Sequence, residues 1–473
     1  MPYGIICGCM FGGVLMLDLN KYKNIHCIGI GGIGLSAIAE VLLSRGYNVS
    51  GSDMKESDMT NKLARMGARI FIGHRAENVE NADLLVYSSA VSMDNPEIVR
   101  ANERQIPVMS RAQMLGLLMG EYETSIAISG THGKTTTTSM LSLILDHAAL
   151  SPTILVGGNL AEIDGNVKVG HSNYFVTEAC EYMDSFLELA PKIEIILNID
   201  SDHLDYFKDI DHIVSSFDRF AHLVPGNGTI IAYDANPFVS RAIQGLDNVV
   251  TFGLNENCTY YGKNIKFDEN GMPSFDVMHD GEVLNRIQLA VPGEHNILNA
   301  LAAYACADTL SVDHAVIKNT LEGYHGTQRR FDIIGTTSGG VKIIDDYAHH
   351  PTEIKATLAA CQNVPHNKLW CLFQPHTYTR TMALFDEFAG AFEQTDKLIF
   401  AEIYAAREKN IYKISSKQLA EKIKSEHPDK EVLFFESFEE IADYVRANAE
   451  AGDMVLTMGA GDIYKVGEML LEK

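Results

Sequence analysis

Residues 129–136 read Ser-Gly-Thr-His-Gly-Lys-Thr-Thr, directly after the apolar run 126–128 and directly before a Thr- and Leu-rich segment. A glycine-rich turn between a buried strand and a helix commits a chain to α/β layering. It can hold an anion only where backbone amides and a helix N-terminus converge at the end of a parallel strand. Lys134 is then placed for β- and γ-phosphates, and the Thr135 hydroxyl for a divalent cation. A strict Walker loop needs glycine at position 128, where this chain has Ile128, so the loop is the shorter G-T-x-G-K-T form. The reading is a nucleoside triphosphate held by Gly130, Thr131, His132, Gly133, Lys134, Thr135 and Thr136. The bland alternative is a glycine-rich connection carrying an exposed lysine.

A second glycine turn lies upstream, where His-Cys-Ile at 26–28 runs into Gly29-Ile-Gly-Gly-Ile-Gly34. On its own this pattern fits a nicotinamide cofactor, a nucleotide-sugar pyrophosphate or a plain tight turn. A dehydrogenase needs no triphosphate loop, so two such loops at the starts of two domains point to two different phosphorylated ligands. Gly31, Gly32, Ile33 and Gly34 are the candidate pyrophosphate contacts. Asp53, past the second strand, either takes ribose hydroxyls or caps its loop.

The chain is 473 residues long, more than one hydrophobic core fills, and β-rich runs alternate with amphipathic segments in three sets. The first set has strands at 25–30, 47–52 and 84–88 with a helix at 33–45. The second begins at 126–129, has strands at 174–177 and 193–199, and ends in a helix at 296–310. The third begins at 341–345 and has strands at 369–373, 398–401, 432–435 and 454–457. We therefore expect three α/β domains, at 21–122, 123–334 and 335–473, the outer two Rossmann-like and the middle one a phosphate-loop ATPase fold. Residues 1–20 are set aside as a tail or an over-long start, since 4–17 is nearly all apolar, too short to span a bilayer, and Met10 and Met16 offer later starts.

A net charge of -24 repels phosphate backbones and anionic lipid, which argues against nucleic-acid and membrane partners and requires that a phosphorylated ligand be held locally. The eight cysteines are scattered with no C-x-x-C pair, as expected of reduced thiols in a cytoplasmic protein.

The two loops, together with Glu178-Ala-Cys-Glu181, Asn198-Ile-Asp-Ser-Asp-His203, Gly293-Glu-His-Asn296, Arg329-Arg-Phe331, Asp345-Asp-Tyr-Ala-His-His-Pro351 and Gln374-Pro-His-Thr-Tyr-Thr-Arg380, occur in the order found in the Mur ligases. From about residue 23 onward the chain resembles that family, and within it the branch that adds L-alanine. The resemblance implies a UDP-binding N-terminal domain, a central ATPase domain and a C-terminal domain that brings the amino acid. The implied reaction is ATP-dependent ligation of L-alanine to the carboxylate of UDP-N-acetylmuramate in peptidoglycan precursor synthesis, with Mg²⁺, by a monomer or weak homodimer.

Amide formation from a carboxylate needs a better leaving group than oxide, which phosphoryl transfer supplies as an acyl phosphate. The resemblance places metal ligands at Thr135, Glu178 and His203, the adenine edge on Asn296, the ATP ribose on Asp346 and the γ-phosphate on Arg330. Each has a plainer alternative: a capping or solvated carboxylate at Glu178, a structural histidine at His203, an N-cap at Asn296, a hinge ion pair at Arg330. Arg380, just after a strand, can pair with the amino acid's carboxylate, and His349 can lie near its amine; packing or helix capping is the alternative for both. Glu181 and Asp202 receive no role, nor does the Gly459-Ala-Gly-Asp462 turn. Several relatives carry a carbamylated lysine downstream of the histidine; residues 216–220 read Ser-Phe-Asp-Arg-Phe, in keeping with the alanine branch, which lacks it. A branch that attaches a whole tripeptide shares the Asp-Asp-x-Ala-His-His-Pro run and is the nearest rival, disfavoured by Tyr347, by Tyr182-Met-Asp-Ser-Phe186 and by the string ending at Arg380. The remaining rivals are a nicotinamide oxidoreductase and a non-catalytic nucleotide-gated binding protein.

Overall fold

Runs such as Ile126-Ala-Ile128 and Leu369-Trp-Cys-Leu-Phe373 are fully buried, and the computed structural model makes each a strand covered on both faces, as parallel sheets require. The structure describes residues 18–406 and 408–472, and the short strands Met10–Phe11 and Val14–Leu15. Most of the segment set aside as a tail lies outside the described residues. Leu19, within it, forms part of the 3₁₀ turn Leu19–Lys21 and is buried in the core against the first domain.

The first domain holds β1 (Asn24–Ile28), α1 (Ile33–Ser44), β2 (Asn48–Asp53), β3 (Arg69–Ile72), β4 (Leu84–Tyr87) and β5 (Val108–Ser110). Its sheet is all parallel in the order β3-β2-β1-β4-β5, so the connection reverses direction between β1 and β4. Sheets of this order open a crevice there, beyond the strands' carboxyl ends.

The central domain runs β6 (Thr124–Ser129), α2 (Lys134–His147), β7 (Thr153–Leu160), β8 (Gly165–Lys168), β9 (Tyr174–Glu178), β10 (Ile193–Ile196), β11 (Thr229–Tyr233), β12 (Val249–Gly253), β13 (Tyr260–Phe267), β14 (Pro273–His279), β15 (Glu282–Gln288) and α3 (Glu294–Thr309). Its ten strands are ordered β8-β7-β9-β6-β10-β11-β12-β13-β14-β15, with β6 between β9 and β10. The strands from β7 to β13 pair parallel, and antiparallel strands close both edges. The third domain contains β16 (Asp332–Thr336), β17 (Lys342–Asp346), α4 (Pro351–Gln362), β18 (Leu369–Phe373), α5 (Tyr378–Ala383), β19 (Lys397–Phe400), β20 (Glu431–Phe434) and β21 (Met454–Met458), in the order β16-β17-β21-β18-β19-β20. Only β16 is antiparallel to its neighbour.

The fold is thus three α/β domains, each with a sheet whose strand ends carry the loops singled out in the sequence. No helix among the described residues is long and apolar enough to cross a membrane.

Candidate active site

In the first domain, Asp53 ends β2 and its Oδ2 accepts the Gly31 N–H at 2.9 Å. A Cβ on residue 31 would stand 2.8 Å from that oxygen, so a larger residue there would push the carboxylate off the turn. Gly32 is the N-cap of α1, so Gly31, Gly32, Ile33 and Gly34 make the turn from β1 into α1, and Asp53 reaches it from the end of the neighbouring β2. The turn is tied to the central domain by Asn166 of β8, 3% exposed, whose Nδ2 donates to the Ile33 carbonyl at 2.9 Å.

The central phosphate loop leaves β6 and enters α2 at Lys134. Gly133 has φ +86, and a Cβ there would lie 2.6 Å from Asn299 Oδ1 of α3, so this glycine answers both a left-handed backbone and a close approach. Asn198 holds the loop's crown by both ends of its amide, accepting the His132 N–H at 2.8 Å and donating to the His132 carbonyl at 2.9 Å. Lys134 Nζ donates to the Thr131 carbonyl at 3.1 Å and to Glu181 Oε2 at 3.0 Å. Burial opposes the charge on Lys134, but Glu181 outweighs it and holds the ammonium above its ordinary range. Glu181, unassigned on sequence, is therefore the lysine's buried counter-charge. Glu178 is in register with Ile128, so it emerges at the strand end beside the loop, where its Oε1 accepts the Gly157 N–H at 2.6 Å. Thr135, in the first turn of α2, is likewise at the loop.

Between the central and third domains lies a cavity of about 410 Å³. His132, Gly133 and Thr136 of the loop line it together with Asn296, Arg330 and Asp346, so four widely separated motifs meet there. Asn296 is buried, donating to the Pro292 carbonyl at 2.7 Å and accepting from Asn299 Nδ2 at 3.1 Å. Arg330 lays its guanidinium 5.1 Å from the centre of the Tyr347 ring. The neighbouring Arg329 pairs with Asp345 at 2.9 Å and donates to the carbonyls of Gly459 and Gly461, which gives the late glycine turn its structural use. Burial pushes Asp346 up to about 6, although its oxygens accept the Ala348 and Phe331 N–H groups at 2.7 Å each.

The two domains are joined along residues 200–202. Asp200 Oδ2 accepts from Thr352 Oγ1 at 2.7 Å, the Ser201 carbonyl accepts His350 Nε2–H at 2.9 Å, and Asp202 Oδ1 accepts from Arg380 Nη2 at 2.9 Å. His132 bridges the same seam, with Nδ1 3.2 Å from Glu353 and Nε2 3.5 Å from Asp200. Burial would lower its pKa, but those two carboxylates prevail and lift it to about 9. Donor atoms of His132, Asp200 and His350 lie within 4.8 Å of one another, the one such set among the described residues, and all three side chains are already engaged in the seam.

A second cavity, of about 610 Å³, adjoins the seam and is lined by Asp202, His203, Tyr347, His376 and Arg380 among others. The expected metal ligands are thus divided: Thr135 and Glu178 stand at the phosphate loop, whereas His203, with a left-handed backbone at φ +53, faces this second cavity with its ring 4.6 Å from that of Tyr182. His349 lines neither cavity. Its Nδ1–H donates to the Tyr347 carbonyl at 3.0 Å, leaving the Nε2 lone pair, and burial lowers its pKa to about 3. His376, 5.9 Å away ring to ring, lines the second cavity together with His203. His376, Glu353, Glu181 and Asp202 were given no role on sequence; His376, Glu181 and Asp202 lie within the quoted motifs, and Glu353 two residues beyond one of them.

Comparison with known proteins gives consistent matches across these domains. Family models described as "Mur ligase family, catalytic domain", "Mur ligase middle domain" and "Mur ligase, glutamate ligase domain" match residues 24–123, 128–307 and 329–461. The chain is 52% identical over 456 residues to a UDP-N-acetylmuramate--L-alanine ligase of Alkaliphilus metalliredigens, covering 96% of this chain and 98% of that protein. To the same-named protein of Clostridium tetani it is 50% identical over 460 residues, covering 97% and 100%. Among solved structures, the UDP-N-acetylmuramate-alanine ligase of Thermotoga maritima superposes with TM-score 0.80 at 32% identity over 95% of this chain and 98% of that one. A murein peptide ligase of Psychrobacter arcticus gives 0.72 at 25% identity over 95% and 98%.

Proposed function

The chain belongs to the Mur ligase family, and from that premise we infer that it is an ATP-dependent ligase that joins L-alanine to the carboxylate of UDP-N-acetylmuramate in peptidoglycan synthesis. The observation that carries this reading is the meeting of a triphosphate loop with an interdomain cavity, beside a second cavity that offers a guanidinium to a small acid. We take the three domains to span 21–122, 123–334 and 335–473.

The first domain holds the uridine diphosphate at Gly31, Gly32, Ile33, Gly34 and Asp53, with the sugar's lactyl carboxylate reaching toward the seam. ATP fills the 410 Å³ cavity with its phosphates on residues 130–136, its adenine edge on Asn296, its ribose on Asp346 and its γ-phosphate on Arg330. A carboxylate oxygen attacks the γ-phosphorus as ADP leaves, and Lys134 and Arg330 neutralise the charge that builds on the phosphoryl group. Thr135 and Glu178 are hard oxygen donors beside the loop, a set that fits Mg²⁺, with His203 of the same domain as a further ligand. When bound, the cation would lower the repulsion between phosphate and carboxylate. Arg380 receives the carboxylate of L-alanine. The amine, once deprotonated, attacks the acyl carbon, the bond to the phosphoryl oxygen breaks and inorganic phosphate departs. His349 stands behind His376, with the two rings 5.9 Å apart, on the side from which the amine approaches.

The enzyme works in the cytoplasm as a monomer or weak homodimer on small-molecule substrates. ADP release measured with UDP-N-acetylmuramate plus either L-alanine or the tripeptide tests the assignment. We expect turnover with L-alanine; turnover with the tripeptide alone would overturn it.

A further inference from the structure

Three carboxylates line the second cavity: Asp202, Asp205 and Glu408. Asp205 is engaged by the Tyr182 hydroxyl at 2.8 Å and Glu408 by the Thr379 N–H at 2.8 Å. Asp202 differs in how its two oxygens are used. Oδ1 accepts the His203 N–H at 2.7 Å, Arg380 Nε at 3.1 Å and Arg380 Nη2 at 2.9 Å. Oδ2 has a long bond from Arg380 Nη2 at 3.3 Å and stands 3.8 Å from His203 Nε2, so most of its accepting capacity remains. Across the pair, Arg380 Nη1 is 3.3 Å from His376 Nδ1 and keeps a second donor. An ion pair that lines a cavity with one acceptor and one donor still to be used is the complement of a zwitterion.

We propose that Asp202 and Arg380 together form the amino-acid receptor, with Arg380 Nη1 taking the substrate's carboxylate and Asp202 Oδ2 its ammonium. This rests on the reading of Arg380 given above and adds the group that recognises the other end of the molecule. An α-amino acid carries its two charges one carbon apart, so its receivers must be neighbours, as these two are at 2.9 Å. Orientation follows from the chain. Residues 198–202 are bound to the phosphate loop through Asn198 and through the Asp200 N–H, which donates to Thr131 Oγ1 at 2.9 Å. The ammonium's receiver is thus carried by the segment that is bound to the phosphate loop, and the carboxylate's receiver by α5 of the third domain. Asp202 is a positioning group whose Oδ1 is already taken by His203 and Arg380. Its role is to orient the nitrogen and to select amino acids over hydroxy acids.

The test compares L-alanine with L-lactate, its hydroxyl counterpart, as ligands of the complete enzyme with ATP and UDP-N-acetylmuramate present. In the parent enzyme L-alanine should bind on the order of 10- to 100-fold more tightly, the worth of one hydrogen bond to a charged group. Equal binding would overturn the proposal without any variant. Asp202→Asn should raise the KM for L-alanine by that factor and leave inhibition by L-lactate within about threefold. If both ligands weaken equally, or only kcat falls, Asp202 merely holds His203 and Arg380 in place and the proposal fails. Arg380→Ala should weaken both ligands alike; L-lactate binding untouched by it would remove the reading of Arg380 itself, whatever Asp202→Asn does.

Discussion

Replacing Lys134 by alanine removes a charge from the phosphate loop and strands another behind it. The Glu181 side chain is 2% exposed and its two oxygens lie 3.0 and 3.4 Å from Lys134 Nζ. Deleting one partner of a buried pair costs about 3–5 kcal/mol, because the remaining charge has neither water nor a counter-ion. For a domain of this size that lowers the unfolding midpoint by roughly 10 °C. Lys134→Ala with Glu181→Gln removes both charges, so most of the lost midpoint should return. Turnover should stay down by about 10²- to 10³-fold in both variants, since the donor to the transferring phosphoryl group is gone in both. Thermal unfolding and an ADP-release assay on the same preparations read the two effects separately. A single variant that melts within about 1 °C of the parent would refute the buried-pair reasoning. A double variant that recovers turnover along with stability would show that Lys134 serves the fold and not the chemistry.

Asp346 is pushed up to about 6 by burial. Its neutral form is favoured in the folded state, so stability should fall by roughly 2–3 kcal/mol as pH rises from about 4 to about 6. Asp346→Asn should flatten that stretch of the melting profile and raise the KM for ATP about tenfold without affecting that for UDP-N-acetylmuramate. His132 is lifted to about 9 by Asp200 and Glu353 against its burial, so its stabilising contribution is complete below its unfolded value and is lost as pH rises through about 9. Glu353→Gln should move the His132 titration toward the ordinary imidazole range, read by NMR of labelled histidine, and shrink the alkaline loss of stability. Asn166→Ala removes a buried bond to the Ile33 carbonyl and should raise the KM for UDP-N-acetylmuramate several-fold, leaving that for ATP unchanged; equal changes in both would point to general loosening of the central domain.

The strands that read most clearly in the sequence are those buried on both faces. Leu369–Phe373 is found at its expected limits, and Thr124–Ser129 begins two residues earlier than the apolar run suggests. The antiparallel edge from Tyr260 to Gln288 was not anticipated, because its first strand alternates burial only in part and carries Gly262, Lys263, Asn264 and Lys266 through a register shift. Thr153–Leu160 was missed for a similar reason, since Gly157-Gly-Asn159 reads as a turn. In the site, contiguous motifs were legible: residues 130–136, Asn296, Arg330 and Asp346 each stand at or beside the end of a strand or the start of a helix, and all four motifs line one cavity. The partners across the seam were not. Glu353 against His132, Arg380 against Asp202 and His350 against the Ser201 carbonyl depend on how two domains meet, which no spacing within either domain encodes. Glu181 was given no role because its lysine is 47 residues away in sequence.

The central claim is that the acceptor acid is activated by a triphosphate lodged on residues 130–136, as an acyl phosphate. UDP-N-acetylmuramate labelled with heavy oxygen in its lactyl carboxylate, turned over with ATP and L-alanine, tests it directly by mass analysis of the phosphate released. The account predicts one labelled oxygen per phosphate molecule. Unlabelled phosphate, with the full label retained in the sugar product or lost to water, would contradict it.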